Sequence, residues 1–329
     1  MERHRIPRGG CFLAGVLALA GLRADAANPT DSPAAAHGIA GATTNGPSFV
    51  RFIPDGSRAG RVETAVTTYR DTNGIAVTLF AAVHVGDAAY YRNLQRRFEA
   101  CDALLYEMVR DTEEPGTPLE TAPAALSADS AGQLQMVGYL QSGMRRLLEL
   151  EFQLDAIDYS PANFVHADLD PATFFRLQHE RQESLLSLMF RVMLEEQARL
   201  NAGQGSTVDG FSLLLALMNP DRGYALKLVL GRQMDQLEAM LAGIDQGPNG
   251  QESVIVGARN EHAVRMLQGQ IRLGHRRLGI FYGAAHMPDF QRRLEKLGFE
   301  RLSEEWVIAW DIRPAQAAGS AGDSLQPQK

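Results

Sequence analysis

Residues 276–289, with the sequence RRLGIFYGAAHMPD, carry the pattern that decides the fold. A short apolar run ends at Gly283, and two alanines and His286 follow it. Such a run has the length of a buried strand, and Pro288 then begins a helix-like segment. We therefore expect a buried strand with a histidine just beyond its carboxyl end.

The same construction occurs earlier in the chain. Residues 75–84, IAVTLFAAVH, form an apolar run that ends in His84, and a helical pattern covers residues 88–100. In open α/β sheets, ligands bind in the crevice outside the carboxyl ends of the strands. Two strands of this kind would bring both imidazoles to one rim, so we expect a functional site there.

Composition and charge limit the class of protein. The chain has 329 residues, of which 45% are hydrophobic and 22% are charged, as in an ordinary soluble globular protein. Its formal net charge of -7 argues against nucleic acid as a partner. The sequence contains no phosphate-binding loop, dinucleotide fingerprint or Gly-x-Ser-x-Gly elbow, which disfavours a kinase, a dehydrogenase and a common α/β-hydrolase.

Residues 1–26 have the layout of a secretory signal peptide. Arginines precede an apolar run at residues 11–22, and Ala24-Asp25-Ala26 forms a small-x-small cleavage site. A retained anchor helix is the alternative, although the run is short for a membrane span. We expect a periplasmic or secreted protein with no integral membrane segment after cleavage. Cys101 is then its single cysteine, and we expect it to be buried rather than reactive.

Composition also divides the rest of the chain. Residues 27–48 are predicted to be a flexible lead, and residues 313–329 a disordered tail. Residues 49–312 are predicted to form a single domain of the α/β (α+β) class. We expect its mixed central sheet to be built from both ends of the chain, with a large helical insertion at about residues 115–250.

Local patterns predict the first part of the sheet. Residues 61–69 alternate in polarity, and an Asn73-Gly74 turn joins them to the strand that precedes His84, which predicts a hairpin. Residues 102–109 are again typical of a strand. Because a helix lies between these two apolar strands, we expect them to form a parallel pair with a right-handed crossover.

The insertion and the end of the chain give further predictions. Asp170-Pro171 is typical of a helix start, and we expect a long helix from there to Leu200. The segment 155–168 before it is polar and rich in turn residues. Residues 252–273 are predicted to be one helix, and residues 305–312 the last strand.

Three residues at predicted strand ends could carry chemistry: His84, Glu107 and His286. Two imidazoles and one carboxylate are a common ligand set for a catalytic divalent metal that keeps an open position for water. A carboxylate can also orient a histidine as a general base without any metal. The third possibility is a pair of structural histidines beside a paired glutamate, since a buried Glu needs a partner.

Other polar residues allow two interpretations. Arg259 either binds an anionic substrate group or a developing oxyanion, or is a solvated helix charge. His166 and Asp168 lie in the turn-rich segment, and we favour a turn or cap role over a functional one. The remaining histidines of the domain are predicted to lie at the surface: His179, His262 and His275.

Four short motifs, taken in order, resemble the TraB/PrgY/GumN family, which includes the TIKI proteases. They are Ala81-Ala82-Val83-His84, Tyr106-Glu107, Arg259-Asn260 and Gly283-Ala284-Ala285-His286. The family is marked by two Gly-x-x-His motifs with an acidic residue on the strand after the first. The resemblance covers roughly residues 60–110 and 250–312.

The resemblance implies a fold like those of TIKI proteases, erythromycin esterases and ChaN-type haem-binding lipoproteins. It also implies that His84, Glu107 and His286 are the metal or catalytic residues, with Arg259 close by. Ala81 stands where the first motif has glycine. An alanine cannot readily take a positive φ, so this position bears on catalytic competence more than on the fold.

We therefore predict an exported metal-dependent hydrolase of peptide or related acyl bonds. His84, Glu107 and His286 would hold Zn, Mn or Co, and Arg259 would steady the substrate or the oxyanion. The alternatives are a metal-free His/Glu esterase and a non-enzymatic protein that binds haem or a peptide. The sequence does not choose the metal, the substrate or the oligomeric state.

Overall fold

The structure, a computed structural model, describes residues 48–109, 148, 150–183, 210–234 and 252–314. The predicted signal peptide lies outside these ranges, as do nearly all of the predicted lead and tail and much of the insertion. The core elements at both ends of the domain are described in full.

Within these ranges the chain forms nine strands and seven α-helices. The strands are β1 (Val50–Asp55), β2 (Ala59–Arg70), β3 (Ala76–Ala82), β4 (Val85–Gly86), β5 (Ala103–Tyr106), β6 (Glu151–Phe152), β7 (Phe164–His166), β8 (Arg277–Gly283) and β9 (Glu300–Ile312). The helices are α1 (Ala88–Phe98), α2 (Gln153–Ala156), α3 (Pro171–Glu180), α4 (Gly210–Met218), α5 (Arg222–Arg232), α6 (Arg259–Arg272) and α7 (Met287–Lys296). Among the helices described here, none combines the length and apolarity that crossing a bilayer requires.

Seven of the strands form one mixed sheet, which confirms the predicted class and the contribution from both chain ends. The order β2-β3-β8-β5-β7 runs through its centre, and β1, β3 and β9 all pair with the long strand β2 in antiparallel fashion. The strands β3, β8, β5 and β7 are mutually parallel. Their carboxyl ends therefore lie along one edge, where the site was predicted.

The predicted hairpin between β2 and β3 is confirmed. In its turn, the Asp71 carboxylate accepts hydrogen bonds from the main-chain N–H groups of Asn73 (3.0 Å) and Ile75 (2.7 Å). Gly74 follows with a φ of 79°, a conformation that glycine adopts without steric cost. The turn residues thus fix the register of the two strands.

The prediction that β3 and β5 are direct neighbours is wrong. The two strands are parallel, but β8 lies between them and pairs with both. Residues Leu278 to Tyr282 of β8 are all buried, which is typical of a central parallel strand. Local sequence shows that β3 and β5 belong to one sheet, but it does not show that a distant strand enters between them.

The helix α1 covers the middle of the sheet as its apolar stripe predicted. Tyr91, Leu94 and Phe98 are fully buried. The Phe98 ring packs against Phe80 of β3 and Phe281 of β8, with centroid distances of 5.1 and 4.7 Å. This aromatic contact joins the crossover helix to the two strands that carry the histidine motifs.

The insertion departs from the prediction at two points. The turn-rich segment contains β7, which pairs with β5 and so extends the central sheet. The predicted long helix begins as expected, with Asp170 accepting from Thr173 N (2.8 Å), but α3 already ends at Glu180. Gln182 has a φ of 54°, which breaks the helix. A three-residue strand is too short to show a period, and the sequence gives no glycine to mark the break.

Candidate functional site

Five buried residues meet where the parallel strands end. His84, His286, Glu107 and Asp168 follow β3, β8, β5 and β7, and Arg259 begins α6. Their exposed fractions are 7%, 0%, 1%, 2% and 1% in that order. We call these five residues the buried cluster. The structure thus brings together all four predicted site residues and adds Asp168.

Arg259 lies at the centre of the buried cluster. Its Nε and Nη2 donate to the two Asp168 carboxylate oxygens (2.8 and 2.5 Å), and Nη2 also donates to Glu107 Oε1 (2.7 Å). Its Nη1 faces the Ile255 carbonyl oxygen and His286 Nε2, each at 3.4 Å. The five N–H donors of the guanidinium therefore all have acceptors. The interpretation of Arg259 as a solvated helix charge is wrong.

Asp168 has a larger role than the predicted turn residue. Its Oδ1 does accept from the main-chain N–H of Leu169 (2.8 Å), which is a local turn contact. Both oxygens also hold Arg259 in a bidentate pair, the strongest geometry for a guanidinium and a carboxylate. The sequence gives no signal for this pair, because it depends on β7 entering the sheet. His166, at the end of β7, instead donates from Nε2 to the Met108 carbonyl (2.5 Å).

Glu107 is a buried carboxylate with both oxygens engaged. Oε1 accepts from Arg259, and Oε2 accepts from the main-chain N–H of Gly283 (2.7 Å). Burial alone would raise the pKa of Glu107, but the Arg259 guanidinium, followed by the His286 and His84 imidazoles in their protonated forms and the Gly283 N–H, hold it well below its ordinary value. Glu107 is therefore ionised at neutral pH.

His286 is fully enclosed in the cluster. Its Nδ1 lies 2.6 Å from Asn260 Oδ1, and its Nε2 lies 3.7 Å from Glu107 Oε1. Burial lowers its pKa to about 4, although the Glu107 charge opposes the shift. The imidazole is consequently neutral at pH 7, with Nε2 directed at Glu107 and Arg259.

His84 is the most exposed member of the cluster. Its Nδ1 lies 3.0 Å from Gln153 Oε1, and the Gln153 amide nitrogen donates to the Tyr159 hydroxyl (3.1 Å). In this orientation of the Gln153 amide, Oε1 faces Nδ1 as an acceptor, which suits the tautomer of a neutral ring with an Nδ1–H and the lone pair on Nε2. Gln153 lies in the predicted insertion, and no motif identified it from sequence.

The loop that carries His84 is fixed on both sides. The Tyr91 hydroxyl donates to the Val83 carbonyl (2.9 Å), and the Trp310 indole N–H donates to the Val85 carbonyl (2.7 Å). The main-chain N–H of Gln153 donates to the His84 carbonyl itself (3.0 Å). Elements from three parts of the chain therefore hold this histidine in place.

Gly283 and Ala81, the first residues of the two histidine motifs, differ in how much space the neighbouring atoms require. A Cβ on Gly283 would lie 3.2 Å from His84 Nε2 and 3.3 Å from Glu107 Oε2, so the glycine leaves these polar atoms room to converge. Ala81 is buried in the extended strand β3. Its φ is not positive, since Gln182 is the one non-glycine residue with positive φ in the described ranges. An alanine fits the first motif without backbone strain.

The cluster in this arrangement does not fit a divalent ion. In the part of the chain that the structure describes, no three His, Cys, Asp or Glu side chains are arranged to hold a metal. The physical reason is that both Glu107 oxygens accept hydrogen bonds from the protein, and the Arg259 cation lies 3.4 Å from His286 Nε2. Metal binding at His84, Glu107 and His286 stays a prediction, and it requires Arg259 to move away.

A scan of protein-family models and searches of curated proteins and of solved structures gave no match to this chain. The resemblance to the TraB/PrgY/GumN family therefore stays a prediction from its four motifs.

Proposed function

We propose that this protein is a hydrolase of neutral acyl bonds, in small esters or peptides, and that His84 activates water without a metal. The observation that carries the proposal is the position of Arg259. Its guanidinium binds Glu107 at 2.7 Å and faces His286 Nε2 at 3.4 Å, so a cation of the protein itself already engages both of these predicted metal ligands.

His84 has the properties of the proton-transferring residue. It is the most exposed member of the cluster, and its Nδ1–H bond to Gln153 leaves the Nε2 lone pair available. In the proposed reaction, Nε2 takes a proton from water while the water oxygen attacks the acyl carbon. The same proton then passes to the leaving alkoxide or amine, which restores neutral His84.

Glu107 stabilises the positive charge that His84 acquires when it takes up the proton, and Arg259 holds Glu107 in place. The Glu107 carboxylate lies across the open face of Gly283 from His84 Nε2, so its negative charge stabilises the imidazolium. Arg259 keeps Glu107 ionised and in place. Arg259 is thus a positioning residue in this proposal and does not bind the substrate as expected from sequence, because its five N–H donors are engaged within the protein.

The charge of the cluster favours a neutral substrate. Two carboxylates, Glu107 and Asp168, face the single guanidinium of Arg259, and His286 is neutral at pH 7. The cluster therefore carries excess negative charge, which would repel an anionic group in a medium of low dielectric constant. Uncharged esters and internal peptide bonds carry no anionic group at the reacting carbon and would not be repelled.

The finer parts of the sequence prediction belong to the same proposal. We propose a fold related to those of TIKI proteases, erythromycin esterases and ChaN-type proteins, supported by the convergence of the four motifs in one cluster. Export through residues 1–26 would place the enzyme in the periplasm or outside the cell. A metal-dependent peptidase is the second candidate, favoured by the gathering of two imidazoles and a carboxylate at one rim.

The test is an assay of short-chain 4-nitrophenyl esters and of a fluorogenic peptide set, with and without EDTA and 1,10-phenanthroline. Hydrolysis should persist in chelator, and His84→Gln should lower kcat by about 100-fold or more, the usual contribution of a general base. His179→Gln changes an exposed residue on α3 and is the matched control.

Two outcomes would contradict the metal-free proposal. Loss of activity in chelator, with recovery on adding Zn, Mn or Co, would establish the metal-dependent enzyme. If no substrate is hydrolysed, the proposed hydrolase function is contradicted. A Soret band on reconstitution with haem would then support the haem-binding alternative.

A further inference from the structure

We infer that Asn260 is a positioning residue that holds His286 in the Nδ1–H tautomer. The assignment of the proton follows from the hydrogen bonds around the two side chains. Its consequence for catalysis rests on the function proposed above, since it acts through His286 on Arg259.

The amide of Asn260 has a fixed orientation. The side chain is fully buried, and its Nδ2 donates to the His286 carbonyl oxygen (3.0 Å) and to Asp289 Oδ2 (2.9 Å). A carbonyl oxygen and a carboxylate only accept hydrogen bonds, so the NH₂ group must face them. Arg293 and Arg292 bind the same Asp289 carboxylate, at 2.6 and 3.2 Å, which keeps it in this position.

The proton on His286 follows from this orientation. With Nδ2 directed at Asp289, the Asn260 Oδ1 faces His286 Nδ1 at 2.6 Å and can only accept. Nδ1 therefore carries the hydrogen, and Nε2 of the neutral ring carries the lone pair. Such an outer hydrogen bond is the usual way in which a protein selects one imidazole tautomer.

The other face of the ring agrees with this assignment. Arg259 Nη1, which only donates, lies 3.4 Å from His286 Nε2. The opposite tautomer would direct a lone pair at Asn260 Oδ1 and so place two acceptors 2.6 Å apart. Its Nε2–H would face the Arg259 donor at 3.4 Å, and the Glu107 carboxylate, at 3.7 Å, is too distant to accept a hydrogen bond from it. The contacts with Asn260 Oδ1 and Arg259 Nη1 are both satisfied only when Nδ1 carries the hydrogen.

The arrangement couples two adjacent residues of α6 to one histidine. Arg259 donates to Nε2, while Asn260 accepts from Nδ1 of the same ring. His286, with no exposed surface, does not reach the substrate and instead sets the position of Arg259. Because Arg259 holds Glu107, a change of tautomer would displace the carboxylate that stabilises His84 during turnover.

The test reads the tautomer directly. The full chain, labelled with ¹⁵N-histidine, is examined by two-bond ¹H–¹⁵N correlation NMR at pH 7, and the His286 signals are assigned by their absence in His286→Gln. The expected spectrum shows a protonated Nδ1 and an unprotonated Nε2. Asn260→Ala should give a mixture of tautomers and lower kcat by about 10- to 100-fold with little change in KM.

A matched control uses a second asparagine. The Asn163 Nδ2 likewise donates to two acceptors, here the main-chain carbonyls of Phe98 and Cys101, but at the amino ends of the strands. Asn163→Ala should leave the His286 spectrum and kcat unchanged. A protonated Nε2 in the parent, or an unchanged tautomer in folded Asn260→Ala, would overturn the inference. Absence of hydrolysis in the parent would count against the proposed function only, because the parent spectrum decides the tautomer by itself.

Discussion

At the scale of the residue, the chemistry of the site depends on how closely polar atoms approach. Gly283 has no side chain, and this lets His84 Nε2 and Glu107 Oε2 converge beside its Cα. Its main-chain N–H also binds Glu107. Glycine is needed here for space, and its conformational freedom is not used, because its φ of -52° is accessible to any residue. Ala81 in the first motif faces no such demand.

Two separate variants, Gly283→Ala and Ala81→Gly, test whether the space beside each motif residue matters for catalysis. Gly283→Ala places a methyl 3.2 and 3.3 Å from the two polar atoms and should lower kcat by roughly 10- to 100-fold, because small displacements of reacting groups are costly. Ala81→Gly should cost about 0.5–1 kcal/mol of unfolding free energy, as glycine in a strand does, and leave kcat close to the parent. Steady-state kinetics and urea unfolding measure both. An equal fall in kcat for the two variants would show that the glycine position carries no specific space requirement.

At the scale of the element, α6 does not begin as the sequence predicted. The predicted single helix 252–273 opens with a wide π-helical turn, Val254–Ala258, before Arg259. Glu183, beyond the end of α3, accepts from Ser253 Oγ (2.6 Å) and from Val254 N (2.8 Å). A buried carboxylate from the insertion thus fixes the turn that sets Arg259 into the cluster. π-helical turns are frequent at functional sites.

Removing this carboxylate should loosen the turn. Glu183→Ala leaves the buried Ser253 hydroxyl and Val254 N–H without their acceptor, and should lower the free energy of unfolding by about 1–3 kcal/mol. It should also lower kcat through the displacement of Arg259. Hydrogen exchange at the Val254 and Ile255 amides measures the local effect. Glu180→Ala, which removes an exposed carboxylate of α3, is the control, and equal exchange in the two variants would refute the role of Glu183.

At the scale of the whole molecule, the last strand closes the fold over the first histidine motif. The strand β9 pairs with nearly all of β2, and its residues also reach the His84 loop. Ala309 O accepts from Asp87 N (2.9 Å), Asp311 N donates to Asp87 Oδ2 (2.7 Å), and Trp310 donates to Val85. The carboxyl-terminal strand of the described chain therefore holds the His84 loop, which the amino-terminal part supplies.

This coupling predicts a long-range effect of Trp310. Trp310→Phe keeps most of the buried ring but leaves the Val85 carbonyl without its donor, at a cost of about 1–3 kcal/mol. The Asp87 amide should then exchange faster, and kcat should fall as His84 gains freedom. Trp306→Phe alters the second tryptophan, a half-buried residue that stacks under Arg51, and should leave both quantities unchanged. Unchanged exchange at Asp87 in Trp310→Phe would contradict the coupling.

The amino-acid sequence by itself determined the elements and the ends of the strands. Hydrophobic period located β2, β3, α1 and β8, turn residues defined the hairpin, and small-x-x-His placed both histidines beyond parallel strands. Those signals are local, because side-chain alternation and turn chemistry depend on neighbouring residues. The same reasoning identified Glu107 as a buried carboxylate in need of a partner.

Only the tertiary structure decided which partners those residues have. It inserted β8 between β3 and β5, added β7 to the sheet, and so brought Asp168 to Arg259. It also placed Gln153 and Asn260 behind the two histidines. These contacts join residues far apart in the chain, and they are selected by the burial of charges that must be paired once water is excluded. Such a requirement exists only in the folded chain, so local sequence carries no record of it.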